Sequence, residues 1–129
     1  MKKYCFIFFA VVLCMACDNE VTTPKLVGKW QLKTIEKNGV ITPVDTVWYN
    51  FQSESVFSVQ VFVAQEDTVW MTTGMKTQKD NVLTIEIEEG SYTGYLDWNN
   101  AIRSFSIEKL NKKNMILISE EEKYSFIKF

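Results

Sequence analysis

The sequence predicts an all-β fold, an up-and-down antiparallel meander of eight or nine strands closed into a barrel. The first observation is a period of two in hydrophobicity. Apolar residues recur at every second position in 57–63 and 83–87, which is the pattern of strands with one buried face. The second is the close spacing of turn-forming residues, of which Asn38-Gly39 is the strongest hairpin signal. From Leu26 onward, no stretch of ten residues has helical spacing.

Each predicted strand lies between two turns that are rich in Gly, Asn, Asp and other polar residues. In chain order, the strands run roughly over residues 27–37, 45–52, 55–64, 68–76, 82–88, 92–97, 101–109, 115–119 and 123–129. Closing this meander into a barrel removes free edges that would otherwise pair with other chains. Residues 26–129 are therefore predicted to form one barrel domain.

A signal peptide is predicted before the barrel, over residues 1–16. Lys2 and Lys3 form a positive start, an apolar stretch follows from Tyr4, and Ala16 supplies a small residue at the cleavage point. The apolar stretch is too short to cross a bilayer, which takes roughly 20 helical residues. We therefore interpret it as a removable segment and not as a transmembrane anchor.

The end of that segment, Leu13-Cys14-Met15-Ala16-Cys17, resembles the lipobox of bacterial lipoproteins. The resemblance implies that Cys17 becomes the N-terminus and carries fatty-acyl chains such as palmitate, with residues 17–25 as a polar tether. The alternative is an ordinary secretory signal with an incidental cysteine. Cys5 and Cys14 leave with the signal, so no disulfide is expected in the barrel.

Acylation at Cys17 predicts a location in the cell envelope, with the lipid bilayer as the first partner. The acidic residues that follow it, Asp18 and Glu20, resemble export signals of surface lipoproteins, which favours the outer membrane, on its periplasmic or surface face. Retention at the inner membrane is the alternative.

The charge balance argues against nucleic acid as a partner. The whole chain has a net charge of −2, and without Lys2 and Lys3 its 14 basic residues fall to 12 against 16 acidic ones. Nucleic-acid binding requires a clustered positive surface. The mature domain is acidic instead, with a net charge of −4.

Gly28-Lys29-Trp30 opens the first strand with the Gly-x-Trp pattern of lipocalins, and 124–129 is similar to the closing strand of small lipocalin-like lipoproteins. The resemblance implies a lipocalin-like barrel in which Trp30 closes one end beneath an arginine. Arg103 is the only arginine of the chain and is the candidate for stacking on Trp30. A surface salt bridge is the alternative role for Arg103.

We predict that the protein is not an enzyme and has no cofactor or metal site. The chain contains no histidine, so Ser-His and Cys-His pairs and His-ligated metals are excluded. Ser106 and Lys109 have the spacing of some serine acyl-transferases, but that spacing functions on a helix. In a strand of period two the pair is expected on opposite faces.

Two functions remain open. The first is the binding of a small apolar ligand inside the barrel, whose mouth the resemblance places away from Trp30. The expected lining residues are Val47, Val61, Val63, Val69, Met71, Ile87 and Ile107, with an ordinary core role as the alternative for each. The second is an interaction module, such as an accessory subunit of an envelope protein complex, with a solid barrel core.

Overall fold

The computed structural model describes residues 26–88 and 95–129. The predicted signal peptide, Cys17 and the tether 17–25 lie outside the described residues, as does 92–94 of the predicted strand 92–97. Within the described ranges, no helix has the length and hydropathy of a membrane span.

Within residues 26–88 and 95–129, nine antiparallel strands form one sheet, in the order β2-β1-β3-β4-β5-β6-β7-β8-β9, which closes through pairing of β1 with β9. Eight strands make the closed barrel and β2 is an extra strand beside β1, so the predicted fold is confirmed. The strands are β1 (Gly28–Lys37), β2 (Val40–Pro43), β3 (Val47–Phe51), β4 (Val56–Val63), β5 (Thr68–Lys79), β6 (Val82–Ile87), β7 (Ile102–Leu110), β8 (Asn114–Ser119) and β9 (Glu122–Lys128).

The nine strands of the described residues fall within the predicted eight or nine, but two elements differ. Residues 95–97 are not a strand, and β2 lies in a stretch that was left between two predicted strands. All four residues of β2 are exposed, so this strand has no buried face to produce an alternating pattern. The predicted Asn38-Gly39 hairpin joins β1 to β2, with φ of 53° and 79°; both positive values are those that the favoured two-residue turn requires.

Large aromatic side chains fill most of the barrel interior. Tyr49 alone contacts the rings of four aromatic neighbours, at centroid distances between 4.9 and 6.4 Å. Pairs of this kind each contribute roughly 0.5–1.5 kcal/mol beyond the burial of their area. The largest fully buried side chains are Trp30, Tyr49, Tyr124, Phe51, Phe57, Phe105 and Phe126. The interior is therefore a packed core and not a wide ligand chamber.

The two ends of the barrel differ in how they are covered. At the closed end, Leu26 is buried and its carbonyl accepts a hydrogen bond of 3.0 Å from Trp30 Nε1. This end also carries the connections 52–55, 80–81 and 111–113. The open end carries the connections 38–39, 44–46, 64–67 and 120–121, together with the long connection from β6 to β7.

Candidate functional site

The closed end shows why the sequence begins its first strand with Gly-x-Trp. Lys128 Nζ lies 4.6 Å from the centre of the Trp30 ring and donates a hydrogen bond of 2.8 Å to the Val27 carbonyl. Gly28 has φ of +137°, and a Cβ there would lie 2.2 Å from Lys128 Nζ. The backbone conformation favours glycine, because other side chains are strained at this φ, and the missing Cβ also leaves the flexible end of Lys128 in its place over Trp30.

The prediction that Arg103 stacks on Trp30 was wrong, because Lys128 holds that position. Arg103 lies opposite Ile85 near the start of β7, towards the open end, whereas Lys128 pairs directly with Trp30 across β9 and β1. The alternative of a surface salt bridge does not fit either, because Arg103 is only 7% exposed. Its guanidinium lies instead between the rings of Phe105 and Tyr124, at 5.2 and 4.9 Å.

Arg103 is the centre of a polar cluster at the open end. Its Nε donates to Ser119 Oγ at 3.0 Å, while its other two nitrogens are buried without a direct hydrogen bond among the described residues. Carboxylates of Asp97, Glu122 and Glu120 lie 3.7–4.0 Å from those nitrogens. The cation is therefore compensated by nearby charge and held in place by ring contacts.

Tyr124 and Tyr49 extend this cluster into the core. The Tyr124 hydroxyl is within hydrogen-bonding distance of the carboxylates of Asp97 and Glu122, and Trp98 Nε1 donates to the Tyr49 hydroxyl at 3.1 Å. Burial first, and then the Asp97 carboxylate, raises the pKa of both tyrosines well above their ordinary value; Asp97 acts on Tyr124 by direct contact and on Tyr49 through its charge. These bonds fix residues 97 and 98 of the β6–β7 connection on top of the barrel.

A small pocket lies at the open end, beside the fixed connection. Its volume is about 130 Å³. The wall is mainly apolar and comes from β1, the β2–β3 segment and the connection after β6, with Leu32, Ile35, Val44, Val47, Tyr49, Tyr95, Leu96 and Asp97 as its residues. Since Tyr49 is buried in the aromatic core, the pocket ends where that core begins.

An aromatic pair also stands at the open end. Tyr95 stacks on Trp70 of β5 at a centroid distance of 5.3 Å and an interplanar angle of 28°. The Tyr95 hydroxyl donates to Glu66 at 3.4 Å, and 38% of the Tyr95 side chain stays exposed. Tyr95 therefore belongs both to the pocket wall and to the outer surface.

Five of the seven predicted lining residues face the interior, but they do not form one site. Val47 is in the pocket wall. Val61 and Val63 lie on the inward face of β4, the strand next to the one that contains Val47. Ile87 is buried in the core, and Ile107 packs against the core near the closed end. Contact of any of them with a ligand stays a prediction.

Val69 and Met71 do not line the interior, contrary to the prediction, because each is 55% exposed on the outer face of β5. The inward residues of this strand are Trp70 and Thr72, which pair with Val61 and Val59. Residues 69–71 are all apolar, so both faces of β5 are apolar at this point. The alternation of apolar and polar residues therefore could not predict which face is buried.

Sequence reasoning missed most of the pocket. Ile35 was placed only within the predicted strand 27–37 and Tyr95 to Asp97 within the predicted strand 92–97, while Val44 fell between two predicted strands. One signal was present: the run from Asp97 to Asn100 is rich in Asp and Asn, which favour turns over strands. That run marks the connection that covers the barrel at this end.

Two larger surface depressions, of about 350 and 450 Å³, lie around Lys79 to Asn81. Charged and polar side chains dominate their walls, whereas the wall of the small pocket is mainly apolar. We therefore treat the small pocket at the open end as the candidate site.

The Ser106 and Lys109 pair also differs from its prediction. A bulge between Ile107 and Lys109 shifts the register of β7, so that both side chains are exposed and not on opposite faces. No hydrogen bond joins the two within the described residues, and no group of three or more His, Cys, Asp or Glu residues there could hold a metal ion.

Comparisons with known proteins agree with this architecture. Residues 11–129 match the family described as lipocalin-like domain. A crystal structure of a lipocalin-like protein from Bacteroides uniformis ATCC 8492 is similar, with a TM-score of 0.74 and 27% identity over 81% of this chain and 99% of that one. An uncharacterized protein from Bacteroides eggerthii DSM 20697 has a TM-score of 0.70 and 26% identity, over 80% and 98%. Among curated proteins, none matches significantly.

Proposed function

The chain belongs to the family of lipocalin-like domains, and we propose that it is a lipid-anchored, non-enzymatic binding protein of the cell envelope. The observation that carries the proposal is the apolar pocket at the open end, with Val47 in its wall. The anchor is acylated Cys17, inferred from the signal that precedes it. The outer membrane is the proposed location.

The size of the pocket defines what it can accept. Drug-sized ligands occupy roughly 300–1,000 Å³, whereas an apolar cavity of about 150 Å³ binds benzene. A pocket of about 130 Å³ therefore suits one ring or a short branched chain. We propose that a small apolar group enters the pocket while the rest of the ligand stays at the pocket mouth, against Tyr95 and Trp70.

The polar atoms near the pocket support recognition and not chemistry. Among the described residues of the pocket wall, Asp97 is the one charged group, and its carboxylate already contacts Tyr124 and Arg103. Catalysis by a carboxylate requires it to reach the reacting group. These contacts hold Asp97 in place, so that it supports the wall of the pocket at its mouth.

A variant that fills the pocket tests this function. In Val47→Phe the larger ring occupies the volume that the ligand group would take, so we expect loss of binding with the barrel intact. Ligand-observed NMR with indole as the probe measures the effect. Val69→Phe, an equal enlargement on the outer face of β5, is the matched control and should bind as the wild type does.

An unchanged indole signal in Val47→Phe would contradict the pocket proposal. Absence of binding in the wild type would favour the second candidate, an interaction module in an envelope complex. One observation supports that candidate: the outer face of β4 and β5 exposes Phe62, Val69, Met71 and Met75, all at least 36% accessible.

A further inference from the structure

The charges of the barrel are divided between its two ends. In their described parts, the connections at the open end contain acidic residues and no basic ones; the acidic residues are Asp45, Glu66, Asp67, Glu88, Asp97, Glu120 and Glu121. The closed end has the opposite balance, since its lysines outnumber Glu54 and Asp80; those lysines are Lys29, Lys79, Lys112, Lys113 and Lys128.

Four of these lysines and two apolar residues form one continuous surface, which we name the basic rim. Its residues are Val27, Lys29, Lys112, Lys113, Lys128 and Phe129. Backbone and side-chain contacts establish its continuity. Lys128 donates through Nζ to the Val27 carbonyl and through its backbone N–H to the Lys113 carbonyl, both at 2.8 Å. The Phe129 N–H donates to the Lys29 carbonyl at 2.9 Å.

The rim combines unpaired positive charge with exposed apolar groups. Phe129 is 68% exposed and Val27 is 41% exposed. Lys29 Nζ lies 5.0 Å from the centre of the Phe129 ring. Within the part of the chain that the structure describes, no rim lysine forms an ion pair. Lysines and aromatic rings at one surface are the combination found at the boundary of bilayers.

The chain enters the barrel at this same end. Leu26, the first described residue, packs beneath Trp30 beside the rim. The nine residues 17–25 reach about 30 Å at most when fully extended. On the proposed function, an acylated Cys17 therefore holds the closed end near the bilayer. The rim lysines also exceed the acidic residues of that tether, Asp18 and Glu20.

We propose that the basic rim docks on a bilayer surface that contains anionic phospholipids. The lysine ammonium groups lie at the headgroup phosphates, while Phe129 and Val27 contact the interface. This inference rests on the proposed function for the position of the anchor, but the charge and apolar surface of the rim are independent of it. Docking at the closed end turns the acidic open end and its pocket away from the membrane.

Vesicle binding by a chain that starts at Asp18, and so lacks acyl groups, tests the proposal. All nine strands lie after Leu26, and the Bacteroides uniformis structure matches over 99% of its own length, so the barrel folds without the preceding segment. We expect cosedimentation with phosphatidylcholine vesicles containing phosphatidylglycerol and none with phosphatidylcholine alone. Raising the salt to about 0.5 M should release the protein, because it screens surface charges.

A charge-reversal pair locates the contact. Since each basic residue near an anionic surface contributes about fivefold to binding, Lys112→Glu with Lys113→Glu should weaken partitioning at least roughly thirtyfold. The control pair, Lys37→Glu with Lys123→Glu, makes the same change of net charge away from the rim and should bind almost as the wild type. Circular dichroism verifies that both variants are folded.

Absence of binding to anionic vesicles, equal binding to neutral ones, or equal loss in both variant pairs would each overturn the proposal. These outcomes are separate from those of the proposed function. Indole binding does not depend on the rim, and vesicle binding by this chain does not depend on Cys17.

Discussion

At the scale of single residues, the open end depends on one buried cation. Arg103 is held between two rings and lies near three carboxylates, two of which also contact Tyr124. An unpaired buried charge costs several kcal/mol. The position of Asp97, and with it one wall of the pocket, therefore depends on Arg103 remaining compensated.

The buried tyrosines predict a loss of stability at alkaline pH. The folded-state pKa values of Tyr49 and Tyr124 lie above the unfolded value of about 10. Their stabilising contribution is therefore fully present below pH 10 and is lost as the pH rises above it. Urea unfolding of the wild type should show a falling free energy of unfolding between pH 10 and 11.5.

The variant Tyr124→Phe isolates this effect and should lose less stability than the wild type over that range. Tyr95→Phe removes an exposed hydroxyl and is the matched control. Burial lowers the pKa of Lys76, which changes stability in the opposite sense as the pH approaches 10.5, so the difference between variant and wild type is the quantity to compare. Equal slopes in both proteins would refute the role of Tyr124.

Residue assignments could be predicted only where a local pattern determines them. Gly28 and Trp30 were identifiable because their spacing is local, and the structure gives both a clear role at the closed end. The cation over Trp30 was assigned to Arg103 by residue type, but register across β9 and β1 selects Lys128. That choice depends on pairing between residues about a hundred positions apart, which one sequence does not encode locally.

At the scale of elements, β2 pairs only with β1 among the described strands, so its outer edge has no partner in that part of the chain. Val44 N–H donates to the Lys33 carbonyl at 2.8 Å, so Val44 faces β1 and its neighbour Pro43 faces outward. Proline has no N–H, and its place on an edge reduces pairing with another chain. Without this proline, the exposed Val40 and Ile41 would favour association of this edge with another chain.

We expect Pro43→Val to favour self-association. The change restores an outward N–H at the free edge and adds a residue with high strand propensity. Sedimentation velocity over a range of protein concentrations should show oligomers in the variant and fewer in the wild type. Ile41→Lys in the same background adds a charge to the edge and should reverse the effect; oligomers that persist in this double variant would place the contact elsewhere.

At the scale of the whole molecule, the barrel has two distinct ends around a filled centre. The fold was predictable because alternation repeats along most strands and because consecutive strands pair everywhere except between β2 and β3. The pocket was less predictable, because three of its residues come from 95–97, whose position is set by tertiary contacts such as those of Trp98 and Asp97. On our account, the closed end faces the membrane and the open end presents the pocket.

The most direct test of this account is native mass spectrometry of the protein extracted in mild detergent from the membranes of its own host. We expect a chain that begins at Cys17 and carries acyl groups, together with one further non-covalent mass that collisional activation removes. The same extraction of Val47→Phe should retain the acyl groups and lose the additional mass. An unacylated wild-type chain would contradict the anchor, and an acylated chain without any bound mass would contradict the binding function.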